Sequence, residues 1–249
     1  MRDMVFKVDF LARFVTGLSW VVLEVYLINM IYDVSGVESI AGFGRYEILF
    51  VYILYQVVMS FSFIITPGML IRLIFNQIHF GGLDMLILRP INTFWITIFQ
   101  KMSLREFLPA FVYGFVFLPY ILVKMELSWD INLLLQVGFV FFYSIVLVTV
   151  LYWVSIFIVF FIEKATFFVY FVDNLSGFGI YPRKLYPGWV QLAVTYVVPF
   201  FLVANPIYDV LEGSFGMGKI VQMLLMLMLF VMILALEWRV GFKRYNSAA

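Results

Sequence analysis

The sequence predicts an all-α integral membrane protein of six transmembrane helices, with an N-terminal interfacial helix ahead of them and a re-entrant helical segment in the outer leaflet. Three observations lead there. Hydrophobic residues fill 65 % of the 249 positions and charged residues 12 %, against roughly 45–50 % and 25 % in soluble domains. The apolar residues come in runs of membrane length, such as 131–162 and 220–236, and about 20 of them cross a hydrocarbon layer of about 30 Å. None of these runs alternates apolar and polar residues as a spanning strand would, which selects helices over a barrel.

Residues 1–15 place Arg2, Asp9 and Arg13 on one helical face and Met4, Val8, Leu11 and Val15 on the other, the pattern of a helix lying in the interface. Those charges are foreign to a cleavable signal peptide, so the first segment is expected to be retained. The spanning candidates are 14–31, 48–65, 107–123, 131–162, 165–180 and 220–236, separated by charged or Gly/Pro-containing stretches. A further apolar stretch, 189–203, is short and is bracketed or interrupted by Pro187, Pro199 and Pro206; it reads as re-entrant, within a gate region spanning 181–216. Six spans from an inside amino end place Arg2, Lys7, Arg13, Arg72, Arg89, Lys101, Arg105, Lys164, Arg239, Lys243 and Arg244 in the cytoplasm. Arg45, Lys124, Arg183, Lys184 and Lys219 are left outside. With no internal repeat, the chain is one transmembrane domain, 1–249.

The cytoplasmic loop 66–106 carries the clearest pattern. Thr66 suits a helix cap with Pro67 in the first turn, and Ile71, Ile74, Phe75 and Ile78 then form an apolar stripe opposite Arg72, Asn76 and His79. Gly81 and Gly82 break the helix, and the next apolar residues carry Asp84 and Arg89. Such a segment suits docking to a soluble partner, and equally an interfacial helix with no partner.

Chemistry is sparse. A net charge of +1 argues against a nucleic-acid partner, and zero cysteines exclude disulfides and thiolate sites. His79, the one histidine, reads as a surface residue, so no metal is expected. Gly213 to Lys219 fits part of a phosphate-binding loop, but Ile220 stands where a magnesium-holding Ser or Thr belongs and no strand precedes it; it reads as a turn leading into the last span. Glu24 lies midway along the first span, where an ionised carboxylate costs about 2.5–3.5 kcal/mol unless it faces protein or water. It either lines a path or pairs with another helix, for instance through Arg105 or Lys164. Asp173 and Asn174, just before Gly177 and Gly179, carry the same ambiguity and mark a break feeding the gate, to which Pro199 and Asn205 also belong. The tryptophans near the span ends serve as interfacial anchors.

Three stretches resemble a known family, the membrane subunits of type-2 ATP-binding-cassette (ABC) transporters, and within it an ABC-2-like permease branch. The loop Gly82-Leu83-Asp84-Met85-Leu86-Ile87-Leu88-Arg89-Pro90-Ile91-Asn92 is similar to that branch's signature. Ile180-Tyr181-Pro182, Tyr186-Pro187-Gly188-Trp189, Val198-Pro199-Phe200 and Asn205-Pro206 resemble its region after the fifth span. The tail from Gly241 to Ala248 resembles its G-L-x-x-Y-x-S-A ending, with Phe242 in place of leucine. The resemblance implies a coupling helix in the loop between spans two and three, seated in a groove of an ABC ATPase subunit through Ile71, Arg72, Phe75, Asn76, His79, Asp84 and Arg89. It also implies outer-leaflet gate helices between spans five and six, and a second permease subunit, the same or homologous. ATP and magnesium would sit on the partner ATPase, leaving this chain without catalysis or cofactor. The implied setting is the cell membrane of a bacterium, with both termini cytoplasmic. The expected activity is export of an amphipathic, lipid-linked or drug-like substrate. The rival is a stand-alone channel or ion-coupled carrier using Glu24 and Asp173 as coupling carboxylates.

Overall fold

The computed structural model describes residues 7–66, 70–79, 81–100, 102, 107–125, 130–162 and 166–245, and every regular element among them is helical. The first is α1 (Lys7–Ser35), a single unbroken helix. Charge patterning separates an interfacial helix from a first span near residue 15, but the backbone has no break there. No proline interrupts this stretch, and its one glycine, Gly17, weakens a helix by only about 1 kcal/mol. Residues 1–6 of the expected interfacial helix lie outside the described residues. Val21, Ile28 and Tyr32 are buried at spacings of seven and four, forming a stripe that meets the bundle. The helix ends at Gly36, whose positive φ of 63° suits glycine and whose N–H reaches back to Tyr32 O at 3.1 Å.

A tight turn follows, in which Ile40 and Phe43 exchange backbone hydrogen bonds of 2.9 and 3.0 Å around Ala41 and Gly42. It delivers the chain into α2 (Arg45–Ile65), the central helix. Every residue from Ile48 to Tyr55 is buried, so apolar side chains are needed on all its faces. The cytoplasmic-loop candidate forms three short helices, α3 (Leu70–His79), α4 (Asp84–Ile87) and α5 (Thr93–Phe99), the last capped by Asn92 accepting from Phe94 N–H at 3.0 Å. Pro67 and Lys101 to Arg105, Met102 apart, lie outside the described residues.

The third apolar run is α6 (Phe107–Val112), a π-helical turn (Tyr113–Phe117) and α7 (Leu118–Lys124) in direct succession. Pro119 cannot donate to the ladder, and the wider turn accommodates the gap, with Leu118 N–H bonding Tyr113 O. Next, α8 (Ile131–Phe157), capped by Asp130 accepting from Leu133 N–H at 2.7 Å, packs on α2 and ends in a short 3₁₀ turn (Ile158–Phe160). The fifth run is shorter than expected. Its α9 (Thr166–Ser176) has 11 residues, about 16 Å of helix, and gives way to a 3₁₀ turn (Gly177–Gly179). Just beyond the stop the chain lies against the head of α11: a Cβ on Gly179 would lie 2.6 Å from the Phe200 carbonyl oxygen.

The proline-bracketed stretch folds as α10 (Gly188–Leu192), a π turn (Ala193–Val197) and α11 (Phe201–Leu211), bent by 114° between its halves. Val198, ahead of Pro199, is extended (φ −131°, ψ 88°), as the proline ring requires of its predecessor. Last comes α12 (Met217–Arg244), whose Met223, Met226, Phe230 and Leu234 form a buried stripe toward α8. Four helices are long and apolar enough to cross a membrane, or five units if the bent pair counts as one, among the described residues.

Candidate functional site

At one end of the bundle, the α1–α2 turn meets residues 177–187 and α11. Asn205, buried within α11, joins them. Its Oδ1 accepts from Arg183 N–H at 2.7 Å, and its Nδ2 donates to the carbonyls of Gly179 and Tyr181, each at 3.2 Å. These backbone groups have little regular structure of their own, so one side-chain amide supplies the partners that a helix ladder would provide. One turn along α11, Asp209 is 6 % exposed. It accepts from Arg183 Nη2 at 2.9 Å and pairs with Lys219 at the start of α12. Lys184 pairs with Glu212 and Arg45 with Asp33. Arg45 also lies over the Tyr32 ring and Lys184 over Phe43. Four of the five cations that charge counting assigns to the outer side are thus gathered here, each with a carboxylate. Lys219, bound to Asp209, belongs to this cluster, and Gly213 (φ 68°) makes the turn into α12.

Pro199 is buried at the vertex of the bent pair. Between α1, α2 and residues 181–186 lies an apolar cavity of about 390 Å³ lined by Ile28, Ile31, Tyr32, Ile48, Tyr181 and Tyr186, among others. Glu24 is half-buried on α1, one turn before Ile28 of the cavity wall. Asp173 does other work: it accepts from Tyr152 Oη at 2.7 Å, while Tyr55 Oη donates to Ser176 O at 2.9 Å, binding the end of α9 to α8 and α2. Asn174 is exposed and donates to Tyr170 O of its own helix at 2.7 Å. The expected path residues therefore separate. Asn205 and Pro199 join one structure, Glu24 lies on α1 one turn from the cavity wall, and Asp173 and Asn174 stand apart. Arg105 and Lys164, offered as partners for Glu24, lie outside the described residues.

At the opposite end, Ile74 of α3 is fully buried, Phe75 and Ile78 pack partly against the core, and Asn76 is exposed. The backbones of Ile71, Arg72 and His79 belong to α3, while their side chains lie outside the described residues. Gln77 and Gln100 exchange side-chain amide hydrogen bonds of 2.9 and 3.1 Å, bracing α3 against the end of α5. Leu83 and Leu86 anchor α4, but Met85, Leu88 and Ile91 are 69 %, 81 % and 58 % exposed, with Arg89 exposed among them. Phe94 of α5 packs its ring against Trp238 of α12 at 5.4 Å. Beyond α12, the Tyr245 hydroxyl is buried and faces Asp84. Burial first, and then the Asp84 carboxylate, raise its pKa above the usual tyrosine value, so it remains a donor at neutral pH.

The family described as ABC-2 family transporter protein matches residues 18–249. The chain belongs to that family. No curated protein and no solved structure matches it. Membership and the apolar helices together make this ABC-2 protein a multi-pass membrane protein with the role of a transporter permease. Three side chains escaped the sequence reading. Asp209 sits four residues after Asn205, a spacing that puts both on one face of a helix. Glu237, whose Oε2 is buried without a hydrogen bond, was hidden by ending the last span at residue 236, although α12 continues to Arg244. Tyr245 was visible only as part of a tail motif, because its partner is remote in the chain.

Proposed function

We propose that this ABC-2 protein is the membrane subunit of an exporter in which the α3–α5 end is cytoplasmic and seats on a separate ABC ATPase. That partner would hold ATP and magnesium, and this chain would do no catalysis. A second permease subunit, the same or homologous, completes the path. The observation that carries the reading is the surface of α4 and the residues after it: Met85, Leu88 and Ile91 are exposed beside Arg89 although Leu83 and Leu86 already anchor the segment. Helices this short cannot bury such side chains by crossing the bilayer, so an apolar patch with charge beside it suits a docked partner. At the other end, α10 and α11 form a re-entrant outer gate held shut by Asn205, Asp209 and Arg183. The fifth crossing is made by α9 together with the 3₁₀ turn and the residues that follow it. The apolar cavity between α1, α2 and residues 181–186 suits an amphipathic substrate, with apolar walls and tyrosines among its lining.

Purification in mild detergent tests this. An ATPase carrying a phosphate-binding loop should travel with the chain, and charge reversal at Asp84 and Arg89 (Asp84→Lys with Arg89→Glu) should reduce its recovery several-fold while leaving membrane insertion intact. Ion-driven flux through the reconstituted chain alone would overturn the reading in favour of a secondary carrier.

A further inference from the structure

The stretches 82–92 and 241–245 are remote in the chain, yet the structure sets them against each other. On α12 and its continuation, Trp238, Gly241 and Tyr245 fall at i, i+3 and i+7, which is one helical face. Trp238 meets Phe94 of α5 at 5.4 Å and Phe157 of α8 at 5.1 Å. Gly241 lies flat on Phe160, where a Cβ would approach within 2.5 Å of the ring, so no other residue fits without displacing it. Tyr245 completes the face. Its hydroxyl is buried, with the Asp84 side chain and backbone as its polar neighbours. A buried hydroxyl needs an acceptor, and the Asp84 carboxylate is the one beside it.

We propose that the end of α12 clamps the loop, with Tyr245 as the positioning residue for Asp84, so that a displacement of α4 passes directly to the last span. The chain-adjacent spans α2 and α6 are then not the only route from the loop into the membrane. This rests on the docking reading above in one respect, that an ATPase supplies the displacement. The clamp itself belongs to this chain alone. Asp84 thereby has two faces, one toward the docking surface and one toward Tyr245, and Gly241 and Tyr245 of the tail motif acquire a physical reason.

Hydrogen exchange on the purified chain in lipid nanodiscs tests the clamp without any ATPase. Tyr245→Phe removes only the hydroxyl and should speed exchange of the residue 83–88 amides several-fold, while the amides of residues 48–55 report that the core is intact. Asp84→Asn should do the same, and the double variant should exceed neither, because the two groups act as a pair. Unchanged exchange at 83–88 in Tyr245→Phe, or additive effects, would overturn the proposal. A second arm uses the complex with its ATPase and a cysteine at Met217, 73 % exposed at the far end of α12. ATP with vanadate should change its maleimide labelling rate, and Tyr245→Phe should shrink that change at least five-fold at equal ATPase recovery. An equal change in both backgrounds would overturn the transmission route. If no ATPase is recovered at all, the docking reading fails and the exchange result decides the clamp on its own.

Discussion

Two glycines show how single residues set the geometry. A Cβ on Gly179 would fall 2.6 Å from a backbone oxygen of Phe200, and one on Gly241 would fall 2.5 Å from the ring of Phe160. The obstacles differ in kind. A carbonyl at the head of α11 moves only if that helix moves, whereas an aromatic ring can tilt within its cluster. Overpacking of this sort costs about 1–3 kcal/mol, and the backbone clash belongs at the upper end. Gly179→Ala should therefore lower the thermal unfolding midpoint in detergent more than Gly241→Ala, and should loosen the contacts of Asn205, which donates to the Gly179 carbonyl. Equal shifts would mean that α11 is free to slide.

Among elements, the bent pair and the start of α12 are tied together by Asp209. Its side chain is 9 % exposed, against 33 % for Arg183 and 27 % for Lys219. An exposed pair contributes at most about 1 kcal/mol, and breaking a buried one costs about 3–5 kcal/mol; this triad, with one buried partner and two half-buried ones, lies between, near about 2 kcal/mol. Asp209→Asn should lower the unfolding midpoint clearly, and Lys184→Gln, whose lysine is 54 % exposed, should barely change it. Periodicity and charge made much of this level legible. The four long helices announce themselves by apolar length, and the three prolines of the gate mark its bend. The ties across elements were not legible, because Asn205, Asp209, Tyr152 and Tyr245 find partners in other segments, and local patterns carry no information about them. The short α9 was missed for a related reason: apolar composition continues past Gly177, and the packing of Gly179 on Phe200 joins segments remote in the chain.

For the whole molecule, the decisive issue is which way each end faces. Counting by helix length leaves four or five crossings, and the odd or even result turns on the bent pair. Its first half runs from Gly188 to Val197 and its second from Phe201 to Leu211, each about 15–16 Å long, half of a hydrocarbon layer of about 30 Å. A pair bent by 114° is a broken span or a re-entrant loop, and the re-entrant course is the one proposed above. Ion pairs agree, since Arg183 and Lys184, just before the first half, bind Asp209 and Glu212 at the end of the second. Because the chain has no cysteine, single cysteines can be placed without background. An impermeant maleimide applied to intact cells should label Ser39→Cys, Trp189→Cys and Glu212→Cys, and should reach Leu88→Cys only after permeabilisation. Labelling of Trp189→Cys and Glu212→Cys from opposite sides would make the bent pair a full crossing and would move the tail away from the loop that it touches here.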